Sequence, residues 1–224
     1  MTSAGALLWD FDGLVCDTER SAHRSWETLY GRHGLDFPDT VWAVMTGRAS
    51  GEVHAIRDLS VRLGRDLTER ERAERRADKA RLANEEPLRP GVAALLERAA
   101  RHGVPCAIVS SSPAAWVLGH LERLGVADRF ALVVTGDQVE ARKPAPDLYL
   151  RALELLGRPA DTCLALEDSP LGVAAAKSAG LACVAVPNAM GTPAPLAAAD
   201  LVLDSLEHLE RLDIPVRTTK VTAA

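Results

Sequence analysis

Residues 6–13 read Ala6-Leu7-Leu8-Trp9-Asp10-Phe11-Asp12-Gly13, an apolar run that ends in two carboxylates and a glycine. Two later apolar runs also end on polar residues, at Ser110 and at Glu167-Asp168. Continuous apolar runs of four to six residues are typical of strands buried on both faces of a parallel sheet. Because ligands bind beyond the carboxyl ends of such strands, we expect these polar side chains to converge on one site.

The rest of the chain alternates strand and helix patterns around this first strand. Strands are predicted over residues 6–11, 105–109, 131–135, 163–166, 181–186 and 200–203. Between them, Val92, Leu95, Leu96 and Ala99 form a helical stripe. Pro113 behind Ser112 and Pro146 are placed as helix openers, with Gly125 and Gly157 as the matching ends. This order predicts an α/β fold: a Rossmann-like, doubly wound parallel sheet.

The segment that follows the first strand has a different pattern and is predicted to be helical throughout. Its signals are an apolar face over Ala22, Trp26, Leu29, Tyr30 and His33, a short helix start at Asp39, a cap at Ser50, and a capping box at Thr68–Glu71. We therefore predict a discontinuous core over residues 1–16 and 88–215, an inserted helical domain over 17–87, and a frayed tail over 216–224.

Composition limits the kinds of partner. The 224 residues are 47% hydrophobic and 25% charged, with a net charge of −5, so there is no basic excess for nucleic acid. No apolar stretch approaches the roughly 20 residues of a membrane span, and no signal peptide is evident. The four cysteines are widely spaced and show no zinc pattern. We expect a cytoplasmic monomer that binds neither nucleic acid nor membrane.

The polar residues that follow the strands indicate phosphate chemistry. Paired carboxylates are ligands for a hard cation such as Mg²⁺. A phosphate dianion repels a carboxylate nucleophile, so the site needs nearby positive charge, which Mg²⁺ and Lys143 would supply. Asp147, four residues after Lys143, is expected to be a first-turn helix acid rather than a catalytic group.

Together these residues resemble the four motifs of the haloacid dehalogenase-like superfamily. The motifs are Asp10-x-Asp12-Gly-x-x-x-Asp17-Thr18, Ser110, Lys143-Pro-x-Pro-Asp147 and Glu167-Asp168-Ser169-x-x-Gly172. The resemblance spans nearly the whole chain, and the inserted helices resemble the cap of the β-phosphoglucomutase-like phosphatase branch. It implies a Mg²⁺-dependent phosphatase acting on a small phosphorylated metabolite, such as a sugar phosphate or a nucleotide-like compound.

The resemblance also implies a part for each residue. Asp10 would attack phosphorus and form an aspartyl-phosphate, while Asp12 would act as general acid and then as general base. Ser110 would bind a phosphoryl oxygen, and Lys143 would neutralise charge. Mg²⁺ would be held by Asp10, the main-chain carbonyl of Asp12 and Asp168, with Glu167 acting directly or through water. The predicted substrate contacts are Gly47, Arg48, Ser111 and His23.

The sequence also allows other activities. Asp12 argues against the dehalogenases, which lack a second carboxylate, and Arg48 stands where phosphonate-cleaving relatives use a lysine. A sugar-phosphate mutase is the main alternative, although the position of its cap histidine corresponds to Ala22, one residue before His23. A phosphate-binding module without turnover is the third possibility.

Overall fold

The computed structural model describes residues 4–45, 51–190 and 196–209. In these ranges six strands form one parallel sheet in the order β3-β2-β1-β4-β5-β6. The strands are β1 (Ala6–Trp9), β2 (Cys106–Val109), β3 (Leu132–Val134), β4 (Cys163–Glu167), β5 (Ala182–Ala185) and β6 (Leu201–Val202). The predicted doubly wound α/β fold is confirmed.

Strand bounds differ from the prediction by one or two residues. The first strand ends at Trp9 rather than Phe11, so Asp10 is the first residue beyond it, although its amide still donates to Leu166 O at 2.9 Å. The last strand is reduced to the exposed pair Leu201 and Val202. This strand lies at the edge of the sheet, so hydrogen bonds to β5 on one side hold it in place and no strand pairs with it on the other side of the described sheet.

Helices cover both faces of the sheet. They are α5 (Val92–Arg101), α6 (Ala114–Arg123), α7 (Asp147–Leu156) and α8 (Pro170–Ser178). Because side chains alternate along a strand, Leu7 and Trp9 of β1 join one hydrophobic cluster with α5 and α6, while Ala6 and Leu8 join a second with α7 and α8. Both faces of β1 are therefore buried, as its unbroken apolar sequence indicates.

The start of α6 corrects one prediction. Pro113 is not a first-turn residue behind a Ser112 cap; it is itself the N-cap, in an extended conformation. The first amide of the helix, at Ala114, instead donates to Asp137 Oδ2 at 3.2 Å. A distant carboxylate thus satisfies the helix end, and the Ser112 hydroxyl is available elsewhere. By contrast, α7 follows Pro146 and ends at Gly157, as predicted.

Four helices occupy the segment between β1 and α5: α1 (Thr18–Gly31), α2 (Asp39–Met45), α3 (Glu52–Leu63) and α4 (Glu69–Ala83). Residues of α1, α2 and α3 form a third hydrophobic cluster that includes Trp26, Tyr30, Trp42 and Leu59. The predicted capping box at the start of α4 is present, whereas His33, assigned to the first helix, lies beyond its end. The predicted cap Ser50 lies outside the described residues.

The chain crosses between the sheet and this helical segment at two adjacent points. Cys16 forms an antiparallel bridge with Leu88, and Arg89 N donates to Val15 O at 2.9 Å. We retain the division into residues 1–16 and 88–215, 17–87 and 216–224 as a proposal, which the separate third cluster supports. Residues 210–224, which include the tail, lie outside the described ranges. Within those ranges, no helix is long and apolar enough to cross a bilayer.

Candidate active site

The polar residues that follow β1, β2 and β4 meet at the carboxyl edge of the sheet. Asp10 and Asp12 follow β1, Ser110 follows β2, and Glu167 and Asp168 lie at the end of β4. Lys143 reaches the same place from the loop between β3 and α7. The parallel sheet brings these side chains together from positions more than 150 residues apart in the sequence.

Lys143 is the central cation of the site. Its Nζ donates to Asp10 Oδ1 and to Glu167 Oε1, both at 2.6 Å, and its side chain is only 5% exposed. Burial disfavours its charge, but the Asp10 and Glu167 carboxylates outweigh this and raise the pKa of Lys143 above its usual range. The Tyr149 hydroxyl also donates to Glu167 Oε1, at 2.6 Å. The lysine is therefore held in its charged form.

Three acidic side chains lie close together beside Lys143, and two of them, Asp10 and Glu167, contact its ammonium. Oxygen atoms of Asp10, Glu167 and Asp168 lie within 4.8 Å of one another. Burial raises the pKa of Asp10 to about 8, against the lowering effect of Lys143 and with the Glu167 and Asp12 charges adding to it. Burial and the Asp10 and Glu167 charges raise the pKa of Asp168 as well. The raised pKa values show that these acids repel one another when ionised, and a cluster of oxygen donors whose repulsion a cation would relieve fits a hard divalent cation.

Asp12 is held by four donors. The Thr18 hydroxyl and the Trp116 indole N–H donate to its Oδ1 at 2.7 and 2.9 Å. The Ser112 and Ser110 hydroxyls donate to its Oδ2 at 2.6 and 3.3 Å. These contacts come from α1, from α6 and from the loop after β2, so the carboxyl group is fixed by several elements at once.

Two glycines allow the acids to come this close. Gly13 has φ +87°, and a Cβ at this position would overlap the Asp168 carboxylate. A Cβ at Gly172 would overlap the Glu167 carboxylate. Glu167 Oε2 is buried and has no hydrogen-bond partner among the described residues, so the space beside Gly172 is needed for that oxygen.

A cavity of about 560 Å³ opens over these residues. Asp10, Asp12, Lys143 and Asp168 lie on its sheet side, with Ser110, Ser111 and Ser112. The helical segment supplies the facing wall, which includes Glu19, Ala22, Trp42 and Lys79. The cavity therefore lies between the acidic edge of the sheet and a wall that the helical segment supplies.

The predicted substrate residues have different outcomes. Ser111 lines the cavity. Gly47 and Arg48 lie outside the described residues. Among the described residues that line the cavity, Ala22 is present and His23 is not; the His23 ring packs 4.9 Å from Trp42 and 5.4 Å from Phe37, measured between ring centroids. His23 therefore stays a prediction without a contact to the cavity.

Sequence reasoning missed several residues of the site. The sequence pattern places Ser112 at a helix cap, and it does not mark Trp116, Glu19 or Lys79. Burial and the nearby Asp12 charge raise the pKa of Glu19 to about 7, with Lys79 opposing the rise. The position of Glu19 directly after Thr18 was the available signal. No local pattern marks Trp116 or Lys79, because helix packing brings them to the site.

Comparison with known proteins agrees with this geometry. A sequence profile of haloacid dehalogenase-like hydrolases matches residues 5–180. A Bacillus subtilis protein provisionally named as a phosphatase, YhcW, is 40% identical over 184 residues, covering 82% of this chain and 83% of the relative. Hexitol phosphatase A of Escherichia coli is 32% identical, with 91% and 92% covered.

Solved structures give the same result. The crystal structure of CbbY from Rhodobacter sphaeroides in complex with phosphate superposes with a TM-score of 0.72 at 28% identity, covering 92% of this chain and 96% of CbbY. A Thermotoga maritima structure assigned as a β-phosphoglucomutase superposes with a TM-score of 0.76 at 28% identity, with 90% and 94% covered. The chain therefore belongs to the haloacid dehalogenase-like hydrolases, in the β-phosphoglucomutase-like branch, and is a phosphatase.

Proposed function

We propose that the protein hydrolyses the phosphomonoester of a small phosphorylated metabolite, with Mg²⁺ as cofactor and an aspartyl-phosphate on Asp10 as intermediate. The observation that carries the proposal is the contact of the Lys143 ammonium, at 2.6 Å, with a buried Asp10 carboxylate that faces a cavity. A cation in this position lowers the repulsion between a carboxylate nucleophile and a phosphate dianion. The surrounding acids and hydroxyls would hold the metal ion, transfer protons and bind the phosphoryl oxygens.

Asp10, Asp168 and the main-chain carbonyl of Asp12 would hold Mg²⁺, with Glu167 acting directly or through water. The shared position of the acidic oxygens supports this donor set. When bound, the ion supplies positive charge that stabilises the phosphoryl oxygens and the Asp10 carboxylate.

The protein's own residues account for the bond changes. Asp10 forms an O–P bond as the bond from phosphorus to the leaving oxygen breaks, and Asp12 gives a proton to that oxygen. Water then attacks phosphorus, Asp12 takes a proton from it, and the Asp10–phosphorus bond breaks to release phosphate. Ser110 binds a phosphoryl oxygen, and Lys143 neutralises charge throughout.

The facing wall supports a hydroxyl-bearing leaving group such as a sugar. Glu19 offers a carboxyl group and Lys79 an ammonium, while Trp42 supplies an aromatic surface. Carboxyl groups accept hydrogen bonds from hydroxyls, and aromatic faces cover apolar carbon. Arg48, Gly47, Ser111 and His23 stay predicted substrate contacts. The proposal also includes a cytoplasmic monomer, and four buried cysteines without a disulfide support a reducing compartment.

Two features favour hydrolysis over the mutase. The cavity presents Ala22, which cannot transfer protons, where the mutase has a histidine. The curated relatives described above are named as phosphatases. A single-turnover assay with glucose 1-phosphate and a bisphosphate activator tests the mutase, since isomerised product without free phosphate would favour it. A binding module without turnover would release no free phosphate and form no isomerised product.

The proposed function is tested with p-nitrophenyl phosphate, with and without Mg²⁺. We expect metal-dependent release of nitrophenol by the wild type and loss of nearly all turnover in Asp10→Asn, since the substitution removes the nucleophile. Asp147→Asn is the matched control, because Asp147 begins α7 and does not line the cavity. Full activity of Asp10→Asn, or turnover independent of metal, would reject the mechanism.

A further inference from the structure

Among the described residues that contact Asp12, only Trp116 does so through a group that is not a hydroxyl. Trp116 lies in the first turn of α6, and its Nε1 is 2.9 Å from Asp12 Oδ1. Thr18, Ser110 and Ser112 all contact Asp12 through hydroxyl groups, which rotate and can either donate or accept. An indole N–H can only donate, so it keeps Oδ1 as an acceptor and fixes the carboxyl plane.

The ring that carries this N–H is itself held on two sides. The His120 ring lies 4.4 Å away in an edge-to-face arrangement, measured between centroids, and it comes from the next turn of the same helix. Burial and the Arg123 charge lower the pKa of His120, which favours its neutral form. Lys79 Nζ lies 4.9 Å from the Trp116 ring centroid, in cation–π geometry. Lys79 belongs to α4, so the helical segment contacts the same indole that binds Asp12.

We propose that Trp116 is a positioning residue that holds Asp12 in the orientation needed to protonate the leaving oxygen, and that links this orientation to the helical segment through Lys79. The inference rests on the proposed function, because it assigns a purpose to the Asp12 carboxyl group. It requires no further covalent step and no further cofactor.

The choice of leaving group makes the proposal measurable. An alkoxide is a poor leaving group and needs a proton from Asp12, whereas dinitrophenolate leaves without one. A residue that only supports the fold would affect both substrates equally. A residue that positions the general acid would affect the alkyl phosphate selectively.

The experiment compares kcat/KM for a simple alkyl phosphate and for 2,4-dinitrophenyl phosphate in Trp116→Phe, which removes the N–H and keeps an aromatic ring beside Lys79. We expect a fall of about fivefold for the alkyl phosphate, the size of a lost hydrogen bond between neutral groups, because Asp12 is protonated when it acts as the acid, and less than about twofold for the aryl ester. Leu118→Ala is the matched control, because Leu118 lies on the same helix and is 42% exposed. Unchanged rates, or equal losses on both substrates, would overturn the proposal.

Asp12→Asn separates failure of this inference from failure of the proposed function. If Asp12→Asn shows no leaving-group selectivity, the general acid of the proposed function is wrong. If Asp12→Asn shows the selectivity and Trp116→Phe does not, only the present inference fails.

A second measurement decides the question if Trp116→Phe does not fold. The protein has four tryptophans, and their indole N–H groups are observable by ¹⁵N labelling. Trp9 and Trp26 Nε1 have no hydrogen-bond partner among the described residues, and Trp42 Nε1 donates to Met190 O at 2.7 Å. We expect Asp12→Asn to shift one indole resonance clearly more than the others, and no such shift would overturn the proposal.

Discussion

Gly172 lies in the first turn of α8, where the helix passes directly over the carboxylate of Glu167. Its amide is also capped by the Ser169 hydroxyl at 3.2 Å. The absence of a Cβ here lets a buried carboxylate that contacts Lys143 stay close to the helix. A single missing methyl group thus contributes to the placement of the central cation.

We expect Gly172→Ala to destabilise the protein and lower its activity, because the added methyl would displace Glu167. In an unobstructed helix the same change stabilises by up to about 1 kcal/mol. Gly119→Ala provides that comparison, since Gly119 lies inside α6 and its Cβ would meet nothing within 4 Å. Chemical unfolding measures both variants, and a stabilised Gly172→Ala would contradict this account.

At the scale of elements, α4 is the most polar helix of the helical segment. Exposed ion pairs lie along it, such as Arg70–Glu74 within the helix and Arg81–Glu85 at its end. Exposed pairs of this kind contribute little to stability. The start of α4 is held by two reciprocal hydrogen bonds. Glu71 N donates to Thr68 Oγ1 at 3.2 Å, and Thr68 N donates to Glu71 Oε2 at 2.7 Å. The N-terminal cap therefore stabilises the helix that carries Lys79.

We expect Thr68→Ala to lower the free energy of unfolding by about 1 kcal/mol, the usual cost of a lost N-cap, with kcat unchanged. Thr28→Ala in α1 is the control, because the Thr28 hydroxyl is exposed and donates to the Arg24 carbonyl one turn earlier in the same helix. That change is expected to stay within about 0.5 kcal/mol of the wild type. Equal losses in the two variants would contradict the capping argument.

At the scale of the whole molecule, the helical segment is attached to the sheet by more than its two chain crossings. Asn188, after β5, donates to Asp17 Oδ1 at 2.9 Å and to Gly13 O at 3.1 Å. Trp42 donates to Met190 O, two residues further along. The loop after β5 thus contacts both the turn after β1 and the helical segment. The cavity lies between parts of the chain that these contacts hold together.

The close group of Asp10, Glu167 and Asp168 predicts that Mg²⁺ stabilises the fold, because a bound cation relieves the repulsion between these acids. A ligand that binds only the folded state adds about 2.7 kcal/mol at a concentration of 100 times its Kd. We therefore expect Mg²⁺ to raise the Tm of the wild type relative to protein in EDTA. Asp168→Asn should lose most of this shift, while Asp147→Asn, outside the acidic group, should retain it. Identical shifts in the two variants would reject the donor set.

The sequence by itself determined that strands and helices alternate along the chain to form a parallel sheet, and that acids lie at the edge of this sheet. An unbroken apolar run predicts a buried strand, and the polar residue after it marks the end of that strand. Both signals depend only on neighbouring residues, so the sequence is enough to find them. Glycine and proline signals placed the bounds of α7, and the Thr68–Glu71 spacing placed the start of α4. Strand ends were less exact, since a residue such as Phe11 stays buried after the strand has ended.

Only the tertiary structure decided how the acids are held. The local sequence predicts Ser112 as a helix cap. In the structure, Asp137 from another loop accepts the hydrogen bond of the first helix amide, and the Ser112 hydroxyl donates to Asp12 instead. The contacts of Trp116 and Lys79 with the site join residues far apart in the chain, so no local pattern records them. A hydrogen bond or a cation–π contact depends on the packing of whole helices, and that packing is set by the complete core rather than by neighbouring residues.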